Sequence, residues 1–148
     1  MKTEVALRKF EEYLKTKNLR ATKQRLEILQ RAWDGHHHFT AEQMLMWARQ
    51  NEPDVSRATV YRTLSLMVEG GFLGALDRGK SKTLYEHILG HSHHDHMVCA
   101  TCGKIIEFRC EAIEALQELE AKRHNFHTTS HNLTLTGQCG GCYRGKDS

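Results

Sequence analysis

Two Cys-x-x-Cys pairs, Cys99-Ala-Thr-Cys102 and Cys139-Gly-Gly-Cys142, stand on either side of a stretch long enough for a helix and a strand. The spacing lets two thiolates leave one tight turn and take adjacent corners of a tetrahedron. The two pairs therefore predict one four-cysteine structural zinc site that ties the end of the chain to an earlier hairpin. Zinc has no redox chemistry, so such a site is a permanent staple. Two disulfides or a redox dithiol form the competing reading, but neither pair lies on a βαβ unit and the chain reads as cytoplasmic. Its start, MKTEVALRKFEEYLK, is amphipathic and contains acids, unlike a signal peptide, and no apolar run approaches the roughly 18 residues needed to span a membrane. Cys110 is left over, a thiol without an assigned role.

The 148 residues allow one ordinary domain or two small ones, and 39% hydrophobic residues suffice for a core. A net charge of +3 implies little until its distribution is considered. Residues 1–87 carry 15 Lys and Arg against 11 Asp and Glu, whereas residues 88–148 carry 6 against 7. The basic excess thus lies in the first part, and all five cysteines and seven of the 11 histidines lie in the second.

In the first part, residues 5–17 put Leu7, Phe10 and Leu14 on one helical face. Thr22 then caps a helix burying Leu26, Leu29 and Trp33, which Gly35 ends. Thr40 and Gln43 form a capping box for a third helix, and Ser56 caps a fourth over Arg57–Glu69, stopped by Gly70-Gly71. The short turn between the last two helices makes a helix-turn-helix. Val60, Leu64, Met67 and Val68 face inward, while Ser56, Arg57, Thr59, Tyr61 and Arg62 crowd the start, where a helix inserted in a DNA groove needs polar contacts. Residues 74–86, broken at Arg78-Gly79-Lys80-Ser81, read as a hairpin wing; an ordinary four-helix bundle with a decorative hairpin is the plain alternative.

Residues 88–92, with Gly90, read as a hinge. Beyond it, 96–100 and 104–108 form a short hairpin, Glu111–Arg123 a helix with Ile113, Leu116 and Leu119 on its apolar side, and 126–136 an alternating strand. The expectation is an α+β protein: a winged helix-turn-helix DNA-binding domain over 1–87, a hinge over 88–92, and a small α/β metal-binding dimerisation domain over 93–148. A second domain this small needs metal or a partner copy to complete its core.

His93-His94-Asp95-His96 enters the first strand of that domain. Because successive strand residues point to opposite faces, His94 and His96 share one side and His93 and Asp95 the other, so one segment can feed two metal sites. A solvated polar turn is the bland alternative. Imidazole with carboxylate suits iron(II), manganese, zinc or cobalt.

The run HHDHMVCATCGKIIEF, preceded by HFTAE, ATVYRTL and LYE and followed by TSHNLTLTGQCGGC, closely resembles the ferric uptake regulator family of bacterial metal-dependent repressors. The resemblance implies a regulatory site of His38, Glu86, His94, His96 and Glu107, taking Fe(2+), with Mn(2+), Co(2+) or Zn(2+) as surrogates. It also implies an additional site of His93, Asp95, Glu114 and His131, beside the structural Zn(2+). Arg20 matches a basic residue that enters the minor groove, and Tyr61 and Arg62 match residues that read bases. The implied partners are double-stranded DNA, as an A·T-rich pseudo-palindrome, and a second copy of the chain in a homodimer, or further copies in a tetramer. Spacing agrees: Glu107 falls on the strand after the first cysteine pair, Glu114 on the helix beyond, and His131 alternates with Leu133 on the expected last strand. Without the resemblance, nothing selects His38 from the run His36–His38.

Within the family, the peroxide-sensing branch usually has aspartates where Glu86 and Glu107 stand, and the zinc-sensing branch tends to replace part of the regulatory set with cysteine. Both departures favour the iron-sensing branch, with manganese, nickel, zinc and peroxide sensors as alternatives. A zinc hydrolase is the rival from another class. It lacks an H-E-x-x-H helix and leaves the basic helix-turn-helix unexplained. A metal-storage module would need no wing.

Overall fold

A computed structural model describes residues 1–35, 38–78 and 81–144, and the chain divides into two compact units, Met1–Ser92 and His93–Ser148. Gly79 and Lys80 of the expected wing turn lie outside the described residues, as do His36 and His37.

The first unit is α1 (Thr3–Thr16), α2 (Lys23–Asp34), α3 (Ala41–Ala48), α4 (Arg57–Glu69), β1 (Leu73–Arg78) and β2 (Ser81–His87). Each of the three expected caps forms. Thr22 Oγ1 accepts from Arg25 N, Ser56 Oγ accepts from Thr59 N, and Thr40 and Gln43 exchange both bonds of a capping box. One face of each helix enters a common core of Phe10, Leu14, Ile28, Leu29, Met44, Leu64 and Met67. Phe72, at the entrance to the wing, closes it edge-on against Phe10, with ring centroids 5.3 Å apart. β1 and β2 pair antiparallel, and an isolated bridge joins Phe39 to Tyr85, fastening the loop before α3 to the wing. Residues 88–92 belong to this unit: Ile88 N donates to Phe72 O and Leu89 packs on the core.

The second unit is β3 (Asp95–Cys99), β4 (Ile105–Phe108), α5 (Glu111–Arg123), β5 (Thr134–Gly137) and the four-residue α6 (Gly140–Tyr143). Its sheet runs β4-β3-β5, with β3 antiparallel to β4 and parallel to β5. The last strand is much shorter than the alternation over 126–136 suggests. β3 offers partners only from His96 opposite Thr134, and Asn125 turns the chain at φ 51°, so residues 126–133 run as a loop beside α5. His131 accordingly sits on a loop and not on a strand face. The apolar side of α5 is not covered by its own unit: the helix has no buried residue, and Leu116 and Leu119 are 65% and 57% exposed. Among the described residues no helix is long and apolar enough to cross a membrane.

Candidate functional site

The four cysteines converge. The β3–β4 connection turns back through Gly103 at φ 76°, bringing Cys102 beside Cys99, while α6 wraps Cys142 back so that its N–H donates to Cys139 O at 3.0 Å. The four Sγ atoms lie within 4.8 Å of one another, and Cys102 and Cys139 are 3.7 Å apart. A zinc tetrahedron with bonds of about 2.3 Å has edges of about 3.8 Å, so the cage has the size of a ZnS4 site. Backbone N–H groups of Cys102 and Cys139 pull the Cys99 thiol down to about 5, whereas hydrogen bonds from Cys142 to Cys139, Cys102 and Cys99 hold its own proton and push it up to about 12. None of the five cysteines, Cys110 included, is in a disulfide.

A second group forms from β3 and the residue pair before it, α5 and the loop before β5. His93 Nε2 lies 2.9 Å from Asp95 Oδ1, Glu114 Oε1 lies 3.7 Å from His93 and 3.8 Å from His131, and the two imidazole rings meet edge to face. Their four donor atoms fall within 4.8 Å of one another. Asp95 is fully buried, yet its Oδ2 has no hydrogen-bond partner among the described residues; nor do the buried atoms Glu114 Oε1 and His131 Nε2. Buried polar atoms left without a hydrogen bond are costly unless something binds them, and a divalent cation fits the set. Gln117 was not singled out from sequence, although it follows Glu114 by three residues, a spacing that places both on one helix face. Its Oε1 is likewise buried and unpartnered among the described residues.

The residues expected to form the regulatory site fall into two groups. On the first unit, the Phe39–Tyr85 bridge carries His38 against Glu86, Nε2 to Oε2 at 2.9 Å. On the second, His96 stands opposite Glu107 in the β3–β4 ladder, and His94 Nε2 is 3.6 Å from Glu107 Oε1 with its ring 4.9 Å from that of His96.

The residues expected to meet DNA divide similarly. Arg20, Thr59 and Arg62 line one groove of 350 Å³ together with Arg25, whose Nη1 donates to Arg20 O at 2.7 Å. Arg25 escaped sequence reading because it occupies the first turn of α2, outside the reading helix. Ser56 is engaged in capping α4. On its other side, α4 presents Tyr61, 45% exposed, and Arg57; both reach Glu42 of α3, Tyr61 OH at 3.4 Å.

A winged helix-turn-helix with a basic groove, joined to a unit of clustered thiolates, imidazoles and carboxylates, defines a metal-responsive DNA-binding regulator. Residues 16–136 match the profile of the ferric uptake regulator family. The chain is 42% identical to the ferric uptake regulation protein of Campylobacter jejuni over 141 residues, which are 94% of this chain and 89% of that protein. Its fold is similar to that of the ferric uptake regulator of Helicobacter pylori, described as having three functional metal binding sites, with a TM-score of 0.79 at 30% identity over 100% and 97% of the two chains. It is also similar to the regulator of Pseudomonas aeruginosa solved with manganese, with a TM-score of 0.73 at 28% identity over 88% and 97%. The chain belongs to the ferric uptake regulator family, whose members are transcriptional regulators and not enzymes.

Proposed function

We propose that the chain is an iron-responsive repressor acting in the cytoplasm, with Zn(2+) held by Cys99, Cys102, Cys139 and Cys142 and Fe(2+) by His38, Glu86, His94, His96 and Glu107. One observation carries the reading: the regulatory donors are divided, with His38 and Glu86 on the unit that bears the recognition helix and His94, His96 and Glu107 on the other. Imidazole and carboxylate together suit a borderline cation such as iron(II). When bound, the ion supplies a cross-link between the two groups. His38 and Glu86 would then be held to arrangements that also suit the second set, a DNA-competent one among them. A tenfold gain in DNA affinity needs a coupling of about 1.4 kcal/mol, and by reciprocity DNA tightens metal binding equally.

The exposed apolar residues Leu116 and Leu119 of α5, with Met97, Ile106 and Leu135 on the sheet, support dimerisation through the second unit. Two copies on a two-fold axis call for a pseudo-palindromic operator, and an Arg20 side chain in the minor groove favours A·T steps there. His93, Asp95, Glu114 and His131 form the additional site.

The test selects duplexes from a randomised pool and measures retardation in a gel with iron(II), manganese, zinc or EDTA. We expect retardation with iron(II) and its loss in EDTA. Binding that responds to zinc but not to iron(II) would overturn iron sensing, and binding indifferent to EDTA would overturn metal control.

A further inference from the structure

We propose that His87 and His91 form a further transition-metal site, distinct from the three sets above, that takes nickel(II) or copper(II) in preference to zinc(II). The two imidazoles converge at Nε2, 2.7 Å apart, with ring centroids 4.5 Å apart and planes inclined by 39°. A built turn brings them together. β2 ends at His87; Ile88 N is then anchored on Phe72 O, and His91 N–H donates back to Ile88 O at 3.0 Å. Gly90, at φ +84°, supplies the left-handed position that closes this turn.

The His87 ring is fixed from two sides. It stacks on Trp33 at 4.9 Å, and its Nδ1 lies 2.9 Å from the carbonyl oxygen of Ala32. A carbonyl only accepts, so Nδ1 carries the hydrogen and Nε2 presents its lone pair outward, the orientation by which a backbone carbonyl prepares a histidine ligand. His91, exposed at the rim, donates its Nε2–H to that lone pair. A cation takes the place of this proton, which leaves for solvent or for the other nitrogen of the His91 ring, so each ring offers its Nε2 lone pair to the ion.

The ligands favour the metal: at a nitrogen site divalent affinity rises through nickel(II) to copper(II) and falls again at zinc(II). Bonds of about 2.0–2.1 Å at a right angle put two nitrogens about 2.9 Å apart, and at a tetrahedral angle about 3.3 Å. The pair is close to the first value, so cis positions of a square-planar or octahedral ion need little movement, with water completing the shell. A tetrahedral ion needs the rings to open further. Nickel(II) and copper(II) are the divalent ions that favour such imidazole sites.

Full-length protein carrying Trp47→Phe leaves Trp33, in contact with His87, as the only indole. We expect nickel(II) chloride to quench its emission saturably, His96→Ala to leave that quenching in place, and His91→Ala to weaken the apparent affinity at least tenfold. Zinc(II) should displace nickel only at about tenfold higher concentration. In the protein with both tryptophans, the His91 Hε1 resonance should shift or broaden in step, which makes the result independent of the Trp47 change. No saturable quenching, quenching unchanged in His91→Ala, or quenching abolished by His96→Ala would each overturn the proposal, the last by assigning the nickel to the regulatory set.

Discussion

His96 stands opposite Glu107 in the antiparallel ladder, and its chain neighbour Asp95 stands opposite Phe108. Successive strand residues face opposite sides of the sheet, so one residue step separates a donor of the proposed regulatory set from a donor of the proposed additional set. The same strand ends at Cys99. β3 therefore carries donors of all three proposed sites within five residues, and each should respond separately to a change in a ligand that the others do not use.

His131→Ala tests that separation. It removes a part-exposed loop ligand from the set completed by His93, Asp95 and Glu114. We expect manganese or zinc affinity at this set to fall at least about 10- to 100-fold, since loss of outer contacts alone costs that much and His131 is a direct ligand. The cysteine-bound zinc should stay. Equilibrium dialysis with elemental analysis reads both, and loss of the cysteine zinc would show that the two sites are not independent.

Cys102→Ser removes one corner of the ZnS4 cage. The second unit buries little apolar surface of its own, with no buried residue in α5, so metal binding should supply much of its folding free energy. The variant should lose its zinc and its dimer, measured by elemental analysis and sedimentation. Cys110→Ser should change neither.

The cage also sets a pH dependence. Thiols give up their protons on binding zinc, so affinity falls as pH falls. Cys99, held down to about 5, is already a thiolate at pH 7 and contributes to that fall only as the pH drops through its own value, whereas Cys142, at about 12, releases a proton across the whole neutral range. In the zinc-free chain the depressed Cys99 value adds stability that is present above the ordinary thiol range and is lost as pH falls toward 5. Zinc titrated calorimetrically at pH 7 in buffers of different ionisation enthalpy should release fewer than four protons. Release of four would mean that Cys99 is not held as a thiolate.

What the sequence disclosed was whatever depends on local chemistry. Thr22, Thr40 and Ser56 announce helix starts because a short oxygen-bearing side chain satisfies the first free N–H groups, and all three caps form. Both Cys-x-x-Cys turns are equally local. Pairing between distant segments was less legible. Alternation over 126–136 reads as one strand, but β3 supplies edge partners only from Thr134 onward, so His131 reaches Glu114 from a loop. Likewise, nothing near His38 in sequence distinguishes it from His36 and His37; the Phe39–Tyr85 bridge places it against Glu86. Arg25 joins the groove of Arg20 and Arg62 through helix packing that no local pattern records.

Arg62→Ala tests the reading helix. Arg62 is exposed on α4 and shares its groove with Arg20 and Arg25. The change should cost roughly 1–3 kcal/mol in specific binding and relax preference at one base pair. Arg25→Ala should lower affinity more evenly across sequences and reduce the salt dependence, as loss of a phosphate contact does. Fluorescence anisotropy on selected and scrambled duplexes separates the two effects. Unaltered sequence preference in Arg62→Ala would assign base reading to another element.

The coupling between metal and DNA is tested by changing one ligand on each unit. His38 lies beside Glu86 on the first unit and His96 opposite Glu107 on the second. Losing either should abolish most of the metal-dependent gain in operator affinity. Both full-length variants should remain dimeric and keep one zinc per chain, because the four thiolates are untouched. Each variant keeps four of the five donors, but His38→Ala keeps three of them together on the second unit, whereas His96→Ala keeps only two on either unit, so the latter should bind iron(II) more weakly. Operator affinity with and without saturating iron(II), set beside the iron(II) affinity of each variant, distinguishes weakened binding from lost coupling. A His38→Ala protein that keeps its full metal-dependent gain would show that the divided set is not the switch, and would move that role to His93, Asp95, Glu114 and His131.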